Sequence, residues 1–182
     1  TQICPVCMGL PGSLPVLNAK AVKEALKVAL ALNAKIPKVT TFYRKNYYYP
    51  DLPKNFQISQ YDEPLSYDGY IDLNVDGEEV RIRIRRAHLE EDTGKNIHLP
   101  TGSSLVEYNR CGIPLMEIVT EPDFTTAEQC REYLTQLRLI LRAIGVSTAN
   151  DHSRLLNWQQ LQATANGTAV RFVSLFDPNL PP

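Results

Sequence analysis

The sequence predicts a protein of mixed α-helix and antiparallel β-strand, on three observations. Two segments, one after Asn18 and one after Thr125, carry apolar residues at the spacing of an amphipathic helix. Between them, YIDLNV and VRIRIR alternate apolar and polar residues on either side of Asp76 and Gly77, which is the pattern of a β-hairpin. The 182 residues are 43% hydrophobic and 21% charged, so the composition is that of a globular domain with a buried core.

The overall charge gives no sign of a general nucleic-acid-binding surface. The formal net charge is -1, so any nucleic-acid partner would be held by local basic patches. No apolar run is long enough for a membrane span, and the N-terminus lacks the pattern of a signal peptide. We therefore expect a soluble cytoplasmic protein, or one of an organellar matrix if the source is eukaryotic, with no membrane partner.

Cys4 and Cys7 form a CPVC motif, which is typical of a redox dithiol or of half a tetrahedral zinc site. The prolines and glycines of the following MGLPGSLP forbid the helix that a thioredoxin-like motif needs. Zinc requires four ligands, and the sequence holds no second close pair of cysteines or histidines. We therefore expect zinc only with ligands outside this chain. Cys111 and Cys130 are predicted to be buried thiols.

The first predicted helix lies in NAKAVKEALKVALALNAK, with Asn18 as its N-cap. The residues predicted on its buried stripe are Val22, Ala25, Leu26, Ala29 and Leu30, and those predicted opposite are Lys20, Lys23, Glu24 and Lys27. The stripe is typical of core packing rather than of a cofactor site. Residues 40–62, rich in tyrosine and proline, are expected to be a loop with short extended pieces.

In the hairpin, Val80, Ile82 and Ile84 are predicted to face the core. Arg81, Arg83 and Arg85 then face the other side at intervals of about 6.8 Å, as the two-residue period of a strand requires. This arginine stripe could contact phosphates, but a solvated face is the more common role of such residues in antiparallel sheets.

Two acidic features follow the hairpin. HLEEDTGK places three adjacent acids at or just beyond the end of the second strand. IPLMEIV is a further apolar strand with Glu117 embedded in it, and an acid in such a place is either paired or functional.

The last confident element is a helix in TTAEQCREYLTQLRLILRAIG. Thr125 and Glu128 are predicted to form its capping box, and Gly145 to end it. Its predicted buried stripe is Ala127, Cys130, Leu134, Leu137, Leu141 and Ile144. Beyond residue 147 the character of the sequence changes, and we expect a short helix around Leu155–Thr164 and a strand around Thr168–Phe176.

Five blocks carry a family resemblance: CPVCMGLPGSLPVLN, RKNYYYPDLPKNFQISQYD, HLEEDTGK, YNRCGIPLMEIVTEPD and LRLILRAIGVS. In this order they resemble the B subunit of the aspartyl/glutamyl-tRNA(Asn/Gln) amidotransferase, from about Cys4 to Ser147. The resemblance implies an α+β catalytic domain on an antiparallel sheet with flanking helices, similar to the glutamine synthetase and guanido kinase fold. It also implies an amidase (A) subunit and a small C subunit as partners, and misacylated tRNA as substrate.

The family continues on both sides of the resembling blocks. It has an upstream Gly-Leu-Glu-Val-His strand, a CxC pair in its zinc-containing members, and a downstream acidic strand followed by tRNA-binding domains. We therefore expect residues 1–147 to be a partial catalytic domain and residues 148–182 a divergent tail, in an incomplete chain that is inactive by itself.

The resemblance implies a carbon–nitrogen ligase that uses ATP, with glutamine as the amido donor. ATP phosphorylates the carboxylate of glutamate or aspartate misacylated on tRNA, and ammonia then displaces phosphate. Such a step needs a hard cation on the nucleotide phosphates. Glu90 and Glu91 are therefore predicted to hold magnesium, with His88 beside them in the catalytic set.

The remaining site candidates fall into three groups. Those expected to contact phosphate are Arg44, Lys45 and Lys95, of which Lys45 is assigned to the catalytic set. Those expected around the terminal adenosine or aminoacyl group are Tyr47, Gln57 and Gln60, with ordinary sheet packing as the alternative. Glu117 and Glu121 are further substrate-site candidates, unless they pair with an arginine such as Arg110.

Two other functions remain open. TGSS at residues 101–104, with Lys95 nearby, is the kind of serine and lysine pair that amidases use. The arginine stripe and the tyrosines would instead suit a non-catalytic tRNA-binding module. ATP turnover that depends on misacylated tRNA would separate the ligase from the binding module, and glutaminase activity without partners would favour the amidase.

Overall fold

The computed structural model of the chain describes residues 3–147 and the backbone of residues 171–175. The elements in chain order are α1 (Ala19–Ala31), β1 (Tyr43–Asn46), β2 (Phe56–Ser59), β3 (Ser66–Val75), β4 (Glu78–Glu91), β5 (Lys95–His98), β6 (Ser104–Glu107), β7 (Pro114–Thr120), α2 (Ala127–Ala143) and β8 (Arg171–Leu175). The main sheet has the strand order β3-β4-β7-β8, and β1-β2 and β5-β6 form two small sheets. All described pairings are antiparallel, which confirms the predicted α+β class. The closer likeness to glutamine synthetase and guanido kinases stays a prediction.

The predicted hairpin is confirmed as β3 and β4. Val75 pairs with Glu78, so Asp76 and Gly77 alone form the turn. Both have positive φ, 53° and 88°, which is the backbone of the two-residue turn that matches the twist of paired strands.

Both helices pack on one face of the main sheet and enclose the core there. The sheet contributes Ile71, Leu73, Ile82, Ile84, Ala87, Leu89, Met116 and Ile118 to this core. Phe124 and Tyr133 meet edge to face beneath α2, with ring centres 5.4 Å apart. These two helices do not cover the opposite face of the main sheet, which we call the polar face.

A β-bulge at Arg85 changes which side chains of β4 point to the polar face. Ile84 pairs with Thr120, but Arg86 pairs with Val119, so Arg85 is the extra residue. An extra residue shifts the alternation of side chains by one position.

The consequence of the bulge is visible in the burial of β4. The β4 residues in the core are Ile82 and Ile84 before the bulge, and Ala87 and Leu89 after it. The β4 residues on the polar face are therefore Arg81, Arg83, Arg85, Arg86, His88 and Glu90. The bulge thus places a histidine and an acid beyond the arginine stripe on the same surface.

Helix α1 begins as predicted, because Asn18 Oδ1 accepts hydrogen bonds from the backbone of Lys20 and Ala21. The predicted stripe is wrong at two positions. Leu30 is 66% exposed, whereas Glu24, predicted on the solvent side, is only 8% exposed. The helix is rotated, since the stripe that it buries is Ala21, Ala25, Val28 and Ala29. Glu24 is accommodated by an ion pair with Lys27 at 2.8 Å.

Helix α2 is confirmed with its end at Gly145, where φ is 69°. Its predicted cap is wrong by one residue. Thr126, not Thr125, is the N-cap, and its hydroxyl accepts a hydrogen bond from Gln129 N at 3.2 Å. Gln129 in turn accepts from Thr125 N at 2.8 Å, which is the role that the sequence analysis gave to Glu128.

The acidic block was predicted at or just beyond a strand end, and this is confirmed, because β4 ends at Glu91 and Asp92 follows it. The strand predicted around Thr168–Phe176 is confirmed as β8, which pairs with β7. The helix predicted around Leu155–Thr164 lies outside the described residues. In the described part of the chain, neither helix has the length and apolar character needed to cross a membrane.

Candidate functional site

Three potential metal ligands meet on the polar face near the end of β4. His88 and Glu90 point to this face, and Glu117 lies directly opposite His88 in the β4–β7 ladder. Their ligand atoms all lie within 4.8 Å of one another. The Glu90 side chain is 8% exposed and Glu117 is 9% exposed, so the two acids share a poorly solvated place. A divalent cation bound here would relieve their repulsion.

Glu90 is held in place from two sides. Its Oε1 accepts a hydrogen bond from Ser59 Oγ at 2.6 Å and lies 3.2 Å from His88 Nε2. Burial raises the pKa of Glu90, but the hydrogen bonds from His88 and Ser59 outweigh burial, and the pKa is lowered overall. Glu90 is therefore ionised at neutral pH, which is the form that binds a cation. The other ring nitrogen of His88, Nδ1, is buried with no hydrogen-bond partner in the described structure.

Glu91 has different partners from Glu90. Its Oε2 accepts hydrogen bonds from Lys54 Nζ and from Ile58 N, the latter at 3.1 Å. The Lys54 side chain is only 5% exposed, and its Nζ lies 5.1 Å from the centre of the Phe56 ring. The structure therefore separates the two acids assigned to one cation: Glu90 joins His88 and Glu117, and Glu91 joins Lys54. A metal contact by Glu91 stays a prediction.

The β1-β2 pair packs against the acids of β4. Lys45 and Gln57 are paired in this small sheet, so their side chains share one face with Ser59. Gln57 Nε2 donates a hydrogen bond to the backbone oxygen of Glu91 at 2.6 Å and lies 3.4 Å from Glu90 Oε2. Lys45 is close enough to Glu90 for their charges to interact.

Arg44 alternates to the other face of β1. Its guanidinium lies 4.9 Å from the centre of the Phe56 ring. Among the predicted phosphate contacts of this strand, Lys45 is therefore the one directed toward the acids.

Tyr47 and Gln60 have different surroundings. Burial raises the pKa of Tyr47, and the charges of Asp51 and Glu90 add to this effect, so Tyr47 keeps its proton near Glu90. Gln60 is 1% exposed; it accepts a hydrogen bond from Leu89 N at 3.0 Å and donates to Thr40. Its amide thus anchors β4 from inside. Substrate contacts by Tyr47, Gln57 and Gln60 stay predictions.

Lys95 lines a cavity of about 370 Å³ together with Asp51, Asn96 and Arg110. In the β5–β6 ladder it lies opposite Glu107, whereas Ser104 lies opposite His98. Ser104 Oγ is hydrogen-bonded to His98 Nδ1 at 2.8 Å. The lysine and the serines of TGSS therefore lie at different ends of this hairpin, which gives the amidase alternative no support.

The arginine stripe faces solvent as predicted, but each arginine carries a partner of opposite charge. The ion pairs are Arg81 with Asp72, Arg83 with Asp123, and Arg85 with Glu121. Little net charge is left on the stripe for phosphates, which weakens the case for a tRNA-binding module based on it. The arginine partner of Glu121 is thus Arg85, while Arg110 lies 3.5 Å from Asp92.

Cys4 and Cys7 lie in a tight turn with their sulfur atoms 3.2 Å apart. The hydrogen bond from Cys7 N lowers the pKa of Cys4, and burial raises that of Cys7. Cys111 and Cys130 are buried as predicted, and burial raises the pKa of each thiol to about 11. Zinc at Cys4 and Cys7 stays a prediction.

A cavity of about 550 Å³ adjoins the acids from the side of the opening loop. It is lined mostly by apolar side chains, and Glu90 and Glu91 are among its polar lining residues. A group bound near these acids would therefore be partly shielded from water.

Sequence reasoning missed two residues that hold the acids, Lys54 and Ser59. Both belong to KNFQIS, in which Gln57 and Ser59 alternate with the apolar Phe56 and Ile58. This two-residue period is a strand signal, and it would have placed Gln57 and Ser59 on the same side of strand β2.

Residues 1–154 match the family model described as the GatB/GatE catalytic domain. The curated relatives are aspartyl/glutamyl-tRNA(Asn/Gln) amidotransferase B subunits. That of Thermodesulfovibrio yellowstonii is 56% identical over 150 residues, which cover 82% of this chain and 32% of the relative. That of Salinispora tropica is 57% identical over 159 residues, covering 81% and 32%. That of Persephonella marina is 58% identical over 151 residues, covering 82% and 31%. The chain thus spans about a third of the length of these relatives.

Proposed function

The chain belongs to the GatB/GatE catalytic domain family, and we propose that it carries the catalytic chemistry of a tRNA-dependent amidotransferase B subunit. The reaction is the ATP-dependent amidation of Glu-tRNA(Gln), Asp-tRNA(Asn) or both. The observation that carries the proposal is the grouping of His88, Glu90 and Glu117 on the polar face. It supplies the cation site that this chemistry needs, in a chain more than half identical to such subunits.

The grouping has the ligands expected for Mg²⁺. Magnesium takes oxygen ligands and keeps several waters, so two carboxylates are a sufficient protein contribution. Glu90 and Glu117 would hold the ion, and His88 orients Glu90 through its Nε2. A bound ion would neutralise charge on the nucleotide phosphates.

The reaction has two steps in which atoms balance. A carboxylate oxygen of the aminoacyl group attacks the terminal phosphorus of ATP, and ADP leaves. The nitrogen of ammonia then attacks the acyl carbon, phosphate leaves, and the added nitrogen loses a proton. In the first step Lys45, which faces Glu90, contributes positive charge. Tyr47 and Gln57 provide hydrogen-bonding groups for the aminoacyl end.

The partners follow from the need for ammonia. We propose that an amidase (A) subunit releases it from glutamine and that a small C subunit completes the complex. Any zinc at Cys4 and Cys7 takes further ligands from outside this chain.

The test uses the full-length protein in its complex, with ammonium as the nitrogen source so that amidase activity is not required. Glu90→Gln and Glu117→Gln each keep side-chain size and remove one ligand charge. Each should lower the rate of amide formation on misacylated tRNA by about a hundredfold or more. Each should also raise the magnesium concentration needed for half-maximal rate.

The matched control is Glu128→Gln, the same chemical change on a residue of α2 whose side chain is 46% exposed and pairs with Arg131. Its rate and magnesium requirement should equal those of the wild type. Wild-type rates for Glu90→Gln and Glu117→Gln at limiting magnesium would contradict the proposal.

A further inference from the structure

Arg86 stands beside the His88, Glu90 and Glu117 grouping. The bulge at Arg85 turns it to the polar face, two residues before His88. At this spacing, neighbouring side chains on one face of a strand are about 7 Å apart. It lies opposite Val119, which itself lies two residues beyond Glu117 in β7. Arg86 is therefore the arginine of β4 that is nearest along the strand to the proposed cation site.

Arg86 differs from the other three arginines of the polar face in its partners. Arg81, Arg83 and Arg85 each make two side-chain hydrogen bonds to one carboxylate. Among the described residues, Arg86 has no carboxylate partner; its guanidinium instead lies 5.0 Å from the centre of the Tyr61 ring. Its Nε is buried and makes no hydrogen bond within residues 3–147.

A half-buried guanidinium with an unused N–H donor destabilises the folded protein unless a ligand accepts a hydrogen bond from that donor. A buried charged donor without an acceptor loses its hydration and gains no bond in return. The cation–π contact with Tyr61 attracts the charge but uses none of the N–H donors, because these lie in the guanidinium plane. The missing partner is therefore an anion, and a planar fork of donors matches two oxygens of a phosphate.

The position of Arg86 limits which anions could accept its hydrogen bonds. One ligand would have to reach a divalent cation at Glu90 and Glu117 and also the guanidinium of Arg86 on the same strand. Such a ligand must carry several anionic oxygens. A nucleoside triphosphate or a pyrophosphate has this form, whereas a single carboxylate does not.

We propose that Arg86 is the phosphate-binding arginine of this site and contacts phosphoryl oxygens of a metal-bound nucleotide. The assignment rests on the proposed function for its cation site. It adds a residue to the predicted phosphate contacts, since Arg44 stacks on Phe56 and Lys95 lines a separate cavity.

The experiment measures binding to the full-length protein by calorimetry, with ATP and magnesium as one probe and pyrophosphate and magnesium as the other. Arg86→Gln should weaken the binding of both probes by about tenfold or more, the scale of a lost charged hydrogen bond. Arg86→Lys, which keeps the charge but loses the fork, should lie between Arg86→Gln and the wild type. Arg85→Gln is the matched control, because its side chain is exposed and paired with Glu121. It should bind both probes as the wild type does.

Thermal unfolding of each variant shows whether it is folded, and Arg86→Lys decides the question if Arg86→Gln is not. Wild-type affinity in Arg86→Lys or in folded Arg86→Gln would overturn the assignment, as would an equal loss in Arg85→Gln. A protein that binds both probes through Arg86 but forms no amide on misacylated tRNA would overturn the proposed function and leave this assignment standing.

Discussion

At the scale of single residues, the pair of Lys54 and Glu91 shows how a buried charge is tolerated beside the site. Their side chains are 5% and 18% exposed, so both have lost most of their hydration. Glu91 recovers part of this cost through Lys54 and through the backbone N–H of Ile58. Removing one partner would leave the other charge buried and unpaired, which costs more than the pair itself contributes.

We therefore expect Lys54→Met to lower the free energy of unfolding by about 2 kcal/mol or more. The double variant Lys54→Met with Glu91→Met should recover much of this loss, because neither charge remains. Denaturant unfolding of the single and double variants measures both effects. The control is Lys35→Met, which breaks the exposed pair with Asp68 and should cost less than about 1 kcal/mol. Equal losses for Lys54→Met and Lys35→Met would contradict this account.

Single residues also show what sequence reasoning can reach. Glu117 was recognisable as a site candidate because an acid inside an apolar strand is either paired or functional. Lys54 was not, because a lysine after a proline in a loop-rich segment has no distinguishing pattern. Its partner Glu91 is 37 residues away in the chain, and such a contact depends on how β2 crosses β4.

At the scale of elements, the start of α2 shows how the N-cap predicted from the sequence comes to be wrong by one residue. Thr125 and Thr126 are both exposed, and either could cap the helix on composition alone. In the structure Thr126 is the N-cap: its backbone is extended, and its hydroxyl accepts a hydrogen bond from Gln129 N.

Thr126→Ala should therefore destabilise the protein by about 1 kcal/mol, the typical cost of losing an N-cap side chain. Thr125→Ala removes only an exposed hydrogen bond to Gln129 and should cost clearly less. Denaturant unfolding of the two variants and of the wild type measures both losses of unfolding free energy. A larger loss for Thr125→Ala would restore the capping box predicted from sequence.

The bulge in β4 is the element-scale feature that most affects the site. Alternation predicted the hairpin correctly, but continued alternation would have placed His88 and Glu90 with Ile82 and Ile84 in the core. The signal in the sequence is the Arg85-Arg86 pair, where two polar residues in a row break the period of two. A broken period shows that something changes there; it does not reveal which strand carries the extra residue.

At the scale of the whole molecule, the main sheet divides its faces between stability and chemistry. The helices cover one face with the apolar core, and the polar face carries ion pairs at one end and the His88, Glu90 and Glu117 grouping at the other. The period of the hydrophobic residues predicted this division for the hairpin as far as Arg85, but it did not predict the position of His88 and Glu90 beyond the bulge. The packing of the β1-β2 pair over the acids was not predictable, since it depends on contacts between residues 31 to 37 positions apart.

The three arginine–carboxylate pairs make the free energy of unfolding depend on pH in the acidic range. Hydrogen bonds from the paired arginines lower the pKa values of Asp72, Glu121 and Asp123. A carboxylate with a lowered pKa in the folded state contributes stability above its unfolded pKa, about 4 for these residue types. That contribution is lost as the pH falls through the folded pKa.

The comparison that tests this is between the wild type and a variant with Arg81→Gln, Arg83→Gln and Arg85→Gln. At neutral pH the wild type should be the more stable, by a modest amount because the arginine side chains are more than half exposed and the pairs are screened by salt. As the pH falls below about 4, the carboxylates of the wild type become protonated and its advantage should shrink toward zero. Unfolding free energies measured at several pH values between about 7 and 2.5 follow this difference across the carboxylate range. A difference that stays constant over that range would show that the pairs seen on the polar face do not lower the pKa values of their acids.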